Sequence, residues 1–351
     1  AMILSASDPA SIATCADTLR AGGLIGLPTE TVYGLAADAG NDVAVAQIFA
    51  AKGRPADHPL IVHVSAHDGG MSGVAHFAAQ VPPFAQQLMS AFWPGPLTLI
   101  LPRREGVGSA AAGGQASVGL RCPSHPAAQA VLRAMHDAPA GVASVWGLAA
   151  PSANRFGRVS PTTAAHVDSE LGPDLLILDG GACDLGIEST IIDCTRGAPV
   201  LLRPGSISRT QVEQACGRKL LSKEELLEQE TRGLEAPKAS GTLESHYAPN
   251  ATVRLMDAKA LQTALKLLDG AIDSVARPSI AVYARTLLKN VPRTIVLRNM
   301  PQYAAPTAHE LFSVLRELDA TGVKLIWVET PPDTQDWEGV RDRLQRASAP
   351  T

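Results

Sequence analysis

Short apolar runs alternate with segments of helical periodicity from Ser11 to Arg203, break off, and resume at Thr252. This interleaving narrows the choice of fold most. Strands separated by helices build layered α/β or α+β sheets, and the lack of a fixed period argues against a repeat array. Residues 23–27, 60–64, 97–101, 118–121, 175–178, 190–193 and 200–202 read as strands. Residues 42–52 read as a helix with Val45, Ile48 and Phe49 on one face, and 75–92 as a helix broken near Pro82-Pro83. Residues 126–135 and 162–171 complete the helices of this stretch. The later alternation has strands at 252–256, 279–282, 294–297 and 324–328, with helices at 260–268, 308–320 and 336–347. Between the two stretches, residues 219–232 are rich in charge, and 236–249 carry Pro, Ser and Gly with no periodic apolar face. That segment reads as a linker.

A length of 351 residues suits two domains, and 46% hydrophobic content excludes a disordered chain. Net charge is −4, and residues 1–210 hold 12 Lys and Arg against 16 Asp and Glu, so only a local cleft could be basic. Cys15, Cys122, Cys183, Cys194 and Cys216 form no C-x-x-C pair, which disfavours a disulfide framework and a structural zinc site and fits a reducing compartment. The first basic residue is Arg20, unlike the charged start of a secretory signal, and no apolar run is long enough to span a bilayer. The expectation is a cytoplasmic protein with no membrane partner. Ala1-Met2 is set aside as a scar of expression.

Several short stretches could carry chemistry. Pro28-Thr29-Glu30-Thr31-Val32-Tyr33-Gly34 follows the first strand, where open sheets bind ligands, although these residues also serve turns. Lys52-Gly53-Arg54-Pro55 ends a helix; Lys and Gly suit that end, while Arg54 goes unexplained and could join Lys52 in clamping a triphosphate. His58, His63, His67 and Asp68 straddle a strand with no common ligand face, so no metal site is expected there. His63 alone shares a strand face with Ile61, and it could hydrogen-bond a substrate. Gly106-Val107-Gly108 mimics a dinucleotide fingerprint without the helix that must follow, and no phosphate-binding P-loop occurs. Ser152 and Asn154 lie in a loop without nucleophile partners; Ser160 before Pro161 reads as a helix N-cap, a natural phosphate site.

Taken in order, eight motifs resemble the YrdC-like family, and within it the two-domain threonylcarbamoyl-AMP synthases: PTETVYGL from Pro28, KGRP from Lys52, PLIVHV from Pro59, WPGPL from Trp93, GLRCP from Gly119, APSAN from Ala150, ESTII from Glu188 and LRPG from Leu202. His246-Tyr247-Ala248-Pro249 and the trailing α/β stretch extend the likeness over nearly the whole chain. The resemblance implies a twisted open mixed sheet with flanking helices and a basic cavity in residues 1–208. A helix and active-site lid would follow in 209–250, and a small Rossmann-like α/β domain in 251–351.

It also implies a reaction. L-threonine and bicarbonate form N-carboxy-threonine, whose carboxylate attacks the α-phosphate of ATP to give threonylcarbamoyl-AMP and pyrophosphate. Downstream machinery then modifies the adenosine beside the anticodon of ANN-decoding tRNAs, with direct tRNA contact left open. By position, Lys52 and Arg54 fall to the ATP phosphates, with His58, Ser117, Ser152, Asn154, Ser160 and Arg203 also at the nucleotide and Tyr247 in the lid. Thr31, His63, Arg121, Ala150 and Ser189 fall to threonine, and Mg2+ arrives with ATP as its only metal. His58 departs from the Asn that many members carry. A bidentate Arg121 suits threonine's carboxylate, and a site bonding its hydroxyl rejects valine. The competing readings are carbamoyl-adenylate chemistry, disfavoured by missing zinc-finger cysteines, and an RNA-binding module without adenylate synthesis.

Overall fold

The computed structural model describes residues 2–228, 236–268 and 279–350. The chain divides into two units, Ala1–Phe156 with Ser160–Thr242, and Gly157–Val159 with Leu243–Thr351. The first unit contains strands β1 (Met2–Ser5), β2 (Ile25–Leu27), β3 (Gly34–Asp38), β4 (Val62–His63), β5 (Leu97–Pro102), β6 (Ser117–Arg121), β7 (Leu148–Ala149), β8 (Leu176–Asp179), β9 (Thr190–Asp193) and β10 (Val200–Arg203). They form one mixed sheet in the order β1-β8-β2-β3-β7-β4-β6-β5-β9-β10.

Residues paired across neighbouring strands point to the same face, so the registers sort the side chains into two sets. Leu35, Val62, Leu99, Val118, Leu120 and Ile192 fall on one face and join the main core with Val45, Ile48 and Phe49 of the helix Asp42–Lys52. On the opposite face, the helices Pro9–Arg20 and Pro126–His136 lay Cys15, Leu19, Val131 and Met135 over Ile25, Leu27, Ala36 and Leu148. The cover of these two helices stops at β7. From β4 to β10 the same face mixes polar residues with Ile100, Ile191, Val200 and Leu202, and there the site lies.

The expected elements recur with shifted ends, and several readings are corrected. Met2 pairs with Leu176 in a parallel edge ladder. The helix expected from 162 starts at Ala164, and its cap is Thr163, whose side chain accepts from His166 N–H at 3.2 Å; Ser160 caps nothing. The helix expected at the start of 209–250 is Arg209–Cys216, whose Ser208 and Gln211 form a reciprocal capping box. Val212, Cys216 and Leu220 enter the main core, and Leu221 and Leu226 pack on Ile191, Val200 and Leu202. Those few apolar anchors, spaced among charges, tie the segment to the first unit; residues 229–232 of the charged run lie outside the described residues.

The second unit is a four-stranded, wholly parallel sheet in the order β11-β14-β12-β13, from β11 (Thr252–Met256), β12 (Ile280–Ala284), β13 (Val296–Asn299) and β14 (Leu325–Glu329). Leu261 and Leu265 of the helix Ala258–Leu268 pack on Ile280 and Val282, as expected of a small Rossmann-like layer. Gly157–Val159 belongs here: Ala248 N–H donates to the Gly157 carbonyl at 3.1 Å, and Arg316 donates to the Val159 carbonyl at 2.5 Å. Among the described residues no helix is long and apolar enough to cross a membrane, and all five cysteines are free and buried.

Candidate active site

Strand β6 alternates Ser117, Gly119 and Arg121 toward this half-face with Val118 and Leu120 in the core. His63 of β4 and Thr98 of β5 both pair with Arg121, so three polar side chains stand abreast. Ser189 precedes β9, and its hydroxyl lies 2.8 Å from that of Thr98. Arg203 reaches the same face through a register slip: Leu201 pairs with Ile192, yet Arg203 pairs with Ile191. Regular alternation would have turned Arg203 into the core; the bulge re-aims it. Its Nε then donates to the Ser189 carbonyl at 3.0 Å and an Nη to the Ser189 hydroxyl at 3.2 Å. Gly205 completes this corner, because a Cβ there would lie 2.6 Å from Thr190 N.

Arg121 is buried, 4% exposed, and donates to the Thr31 hydroxyl at 2.8 Å and to the Glu30 carboxylate. Glu30 was not among the expected site residues. It also accepts from Ser124 N–H at 2.7 Å and Ser124 Oγ–H at 2.5 Å. Burial works to raise the Glu30 carboxyl, but the Arg121 guanidinium and the Ser124 donors outweigh it and hold it below its ordinary value. The acid is therefore a charged anchor that fixes the Arg121 fork, and the guanidinium keeps Nε without a partner.

Lys52 ends its helix as expected, with Gly53 at φ 66° in the left-handed cap. Its ammonium does not meet solvent: it is buried and donates to the Ser152 and Asn154 carbonyls at 2.6 and 2.5 Å. Burial, and then the Arg54 charge, pull it well below the ordinary lysine value. Arg54 donates to the Pro59 carbonyl at 2.7 Å and to the Ser240 hydroxyl at 3.3 Å, and Arg203 donates to the Ser240 carbonyl at 3.2 Å. Residues 238–240 thus form a strap over the half-face, latched outside by Lys238 Nζ on Asp57 at 2.6 Å. His58 packs edge-on to Phe156 at 5.4 Å; burial, then Arg54, push its imidazole below the ordinary value.

The remaining expected residues divide. Ala150 and Ser152 follow β7 on the site face; Ala150 N–H donates to the Ile61 carbonyl at 3.1 Å. Asn154 is buried, and its side-chain amide donates to the Arg155 carbonyl at 2.8 Å. Ser160 donates to buried Glu188 at 2.8 Å. Tyr247, expected in the lid, belongs by sequence to the second unit; it is fully buried at φ 57° and stacks on Phe312 at 5.4 Å. Within the first unit the segment that meets Arg54 and Arg203 is the strap at Ser240. Among the described residues no group of three His, Cys, Asp or Glu converges on a cation site.

His63 is buried, and its Nδ1 lies 3.2 Å from the Ile61 carbonyl. Burial, and then Arg121, drop its imidazole from 6.5 to about 3. The unfolded chain takes up this proton first as pH falls, so stability falls between those values by up to about 1.4 kcal/mol per pH unit. Melting temperatures at pH 7 and 4.5 should therefore differ less in His63→Gln than in the parent protein; an equal drop would remove His63 as the source.

Two family models cover the chain: one described as telomere recombination matches residues 17–205, and one described as the threonylcarbamoyl-AMP synthase C-terminal domain matches 207–349. A threonylcarbamoyl-AMP synthase of Pyrococcus abyssi is 35% identical over 96% of this chain and 94% of its own length. One of Bacillus subtilis is 35% identical over 98% and 94%. The crystal structure of P. abyssi Sua5 complexed with L-threonine superposes with a TM-score of 0.83 at 33% identity, covering 99% of this chain and 97% of the other. A double-alanine variant of the same protein gives 0.82 at 32% identity, covering 99% and 96%.

Proposed function

This chain belongs to the two-domain threonylcarbamoyl-AMP synthase family, and from that premise we propose how its first unit performs the synthesis. The protein is a nucleotidyltransferase that makes L-threonylcarbamoyl-AMP for threonylcarbamoyl-adenosine in tRNA. Threonine binds with its carboxylate on Arg121, whose free Nε is the observation that carries the assignment. Thr31, His63, Ala150 and Ser189 complete that pocket, and neutral His63 offers a hydrogen bond without adding charge.

ATP lies beside it, held by Lys52, Arg54, His58, Ser117, Ser152, Asn154, Ser160 and Arg203. Bicarbonate carboxylates the threonine amine, forming the N–C bond with loss of water; a carboxylate oxygen attacks the α-phosphorus, the bond to the β-phosphate oxygen breaks, and pyrophosphate leaves with that electron pair. Lys52, Arg54 and Arg203 are fixed cations for the charge that shifts onto the leaving group, so positioning and electrostatics supply the rate without an acid–base dyad. Mg2+ is assigned only as the counter-ion of ATP, since the described donors build no cage for it, and no step is routed through it. The protein works in the cytoplasm and hands its product to separate transfer machinery. Pyrophosphate release from ATP should collapse when threonine is omitted or bicarbonate is depleted; release that continues unchanged without threonine would refute the reading.

A further inference from the structure

Strands β3 and β7 run antiparallel from the active site to a second cavity. At one end Gly34 bridges Ser152 beside the substrate pockets; at the other Asp38 pairs with Leu148. There a cavity of about 430 Å³ lies wholly within the first unit, lined by Arg20, Asp38, His76, Phe77, Val145 and Trp146. The synthesis described above uses none of these residues.

Two opposite charges line this space without meeting. Among the described residues neither Arg20 nor Asp38 forms an ion pair. Asp38 spends Oδ1 on Gly40 N–H at 2.9 Å, which leaves Oδ2 as an acceptor. Burial outweighs that bond and the nearby His76, and it raises the Asp38 carboxyl above its ordinary value, so the anion is short of solvation. Arg20 donates one Nη to the Ala134 and Met135 carbonyls at 2.7 and 3.3 Å, which fixes its guanidinium at the end of the helix Pro126–His136. Its buried Nε–H has no acceptor.

The wall between these charges is apolar and rigid. Trp146 is clamped by two imidazoles, His76 stacked at 5.3 Å and His136 edge-on at 5.1 Å, and Phe77 and Val145 extend the surface. Burial, and then Arg104, hold the His76 imidazole below its ordinary value, so it adds no third charge at neutral pH. One unpaired anion, one unpaired cation and an apolar wall suit a small ligand that carries both signs and an apolar group.

We propose that this cavity is a second amino-acid site, which takes a free α-amino acid with an apolar side chain: ammonium on Asp38, carboxylate on Arg20, side chain against Trp146 and Phe77. Binding there needs no catalysis, so it stands or falls apart from the synthase assignment.

Calorimetric titration of L-leucine into the full-length protein tests this. Leucine should bind with a Kd of about 1 mM or tighter. Leucinamide, which lacks the carboxylate, and 4-methylpentanoate, which lacks the ammonium, should each bind at least about 10-fold more weakly, the scale of one charge-assisted contact. Asp38→Asn keeps an acceptor for Gly40 N–H and removes the charge. It should weaken leucine at least about 10-fold, with Tm no lower than the parent's and pyrophosphate release unchanged. His63→Gln, in the threonine pocket, should bind leucine as the parent does. Leucine binding that survives in Asp38→Asn but disappears in His63→Gln would place the ligand with threonine and overturn the proposal. Equal binding of leucine and either analogue would also overturn it, by making the cavity a site for a simple amine or a simple anion. The absence of any binding heat at about 10 mM leucine would do the same.

Discussion

Lys52→Ala should lower threonine-dependent pyrophosphate release by about 10²–10³-fold, the scale of losing one preorganised transition-state donor. An ammonium has three N–H groups, and two are committed to the Ser152 and Asn154 carbonyls. The third is left for a phosphate oxygen. Burial and the adjacent Arg54 outweigh the Glu170 and Glu188 carboxylates and make the cation unfavourable, so an arriving polyphosphate relieves a repulsion and meets a donor already in place. The loss should fall mainly on kcat, because the charge that Lys52 meets grows as the α-phosphate bond breaks. Lys52→Met retains the buried stem and should show the same kinetic defect with a melting temperature nearer the parent's. Parent-like turnover in both variants would return Lys52 to the helix end that its sequence position first suggested.

How much of this was legible in the sequence depended on whether a position is set locally. The helix Asp42–Lys52 and its Gly53 cap follow from periodicity and one left-handed residue, and they place Lys52 and Arg54. The alternation of His63 with Leu60, Val62 and Val64 likewise reads directly as a strand with one polar side chain on the site face. Strands β3 and β7 escaped because Gly-Leu-Ala-Ala-Asp and Leu-Ala carry too little apolar pattern to declare themselves. The orientation of Arg203 depends on the slip at Leu201, a tertiary decision that no local pattern announces. Glu30 sat in plain view between two threonines, yet its role requires Arg121, 91 residues away in sequence. Its one available signal was a lone acid in a motif otherwise suited to a turn. The strap failed the linker reading for a related reason: Ser240 is ordinary loop text until Arg54 and Arg203 are seen to converge on it.

Glu30→Ala should destabilise the protein by about 3–5 kcal/mol, because it leaves the Arg121 charge buried without its partner. Arg121→Ala should cost a similar amount by stranding the Glu30 carboxylate among two Ser124 donors that cannot balance a full charge. Either single variant would lose activity through unfolding alone, so neither identifies a role in binding. The double replacement Glu30→Leu with Arg121→Met separates the effects. Removing both charges for apolar groups of similar length is often neutral in stability, so its urea midpoint should recover most of either single loss. Its threonine-dependent turnover should not recover, because the bidentate fork for the substrate carboxylate has gone. A double variant that is stable yet inactive places Arg121 on the substrate and Glu30 as the group that positions it. One that is stable and active would reduce the pair to structure and move threonine's carboxylate to another cation.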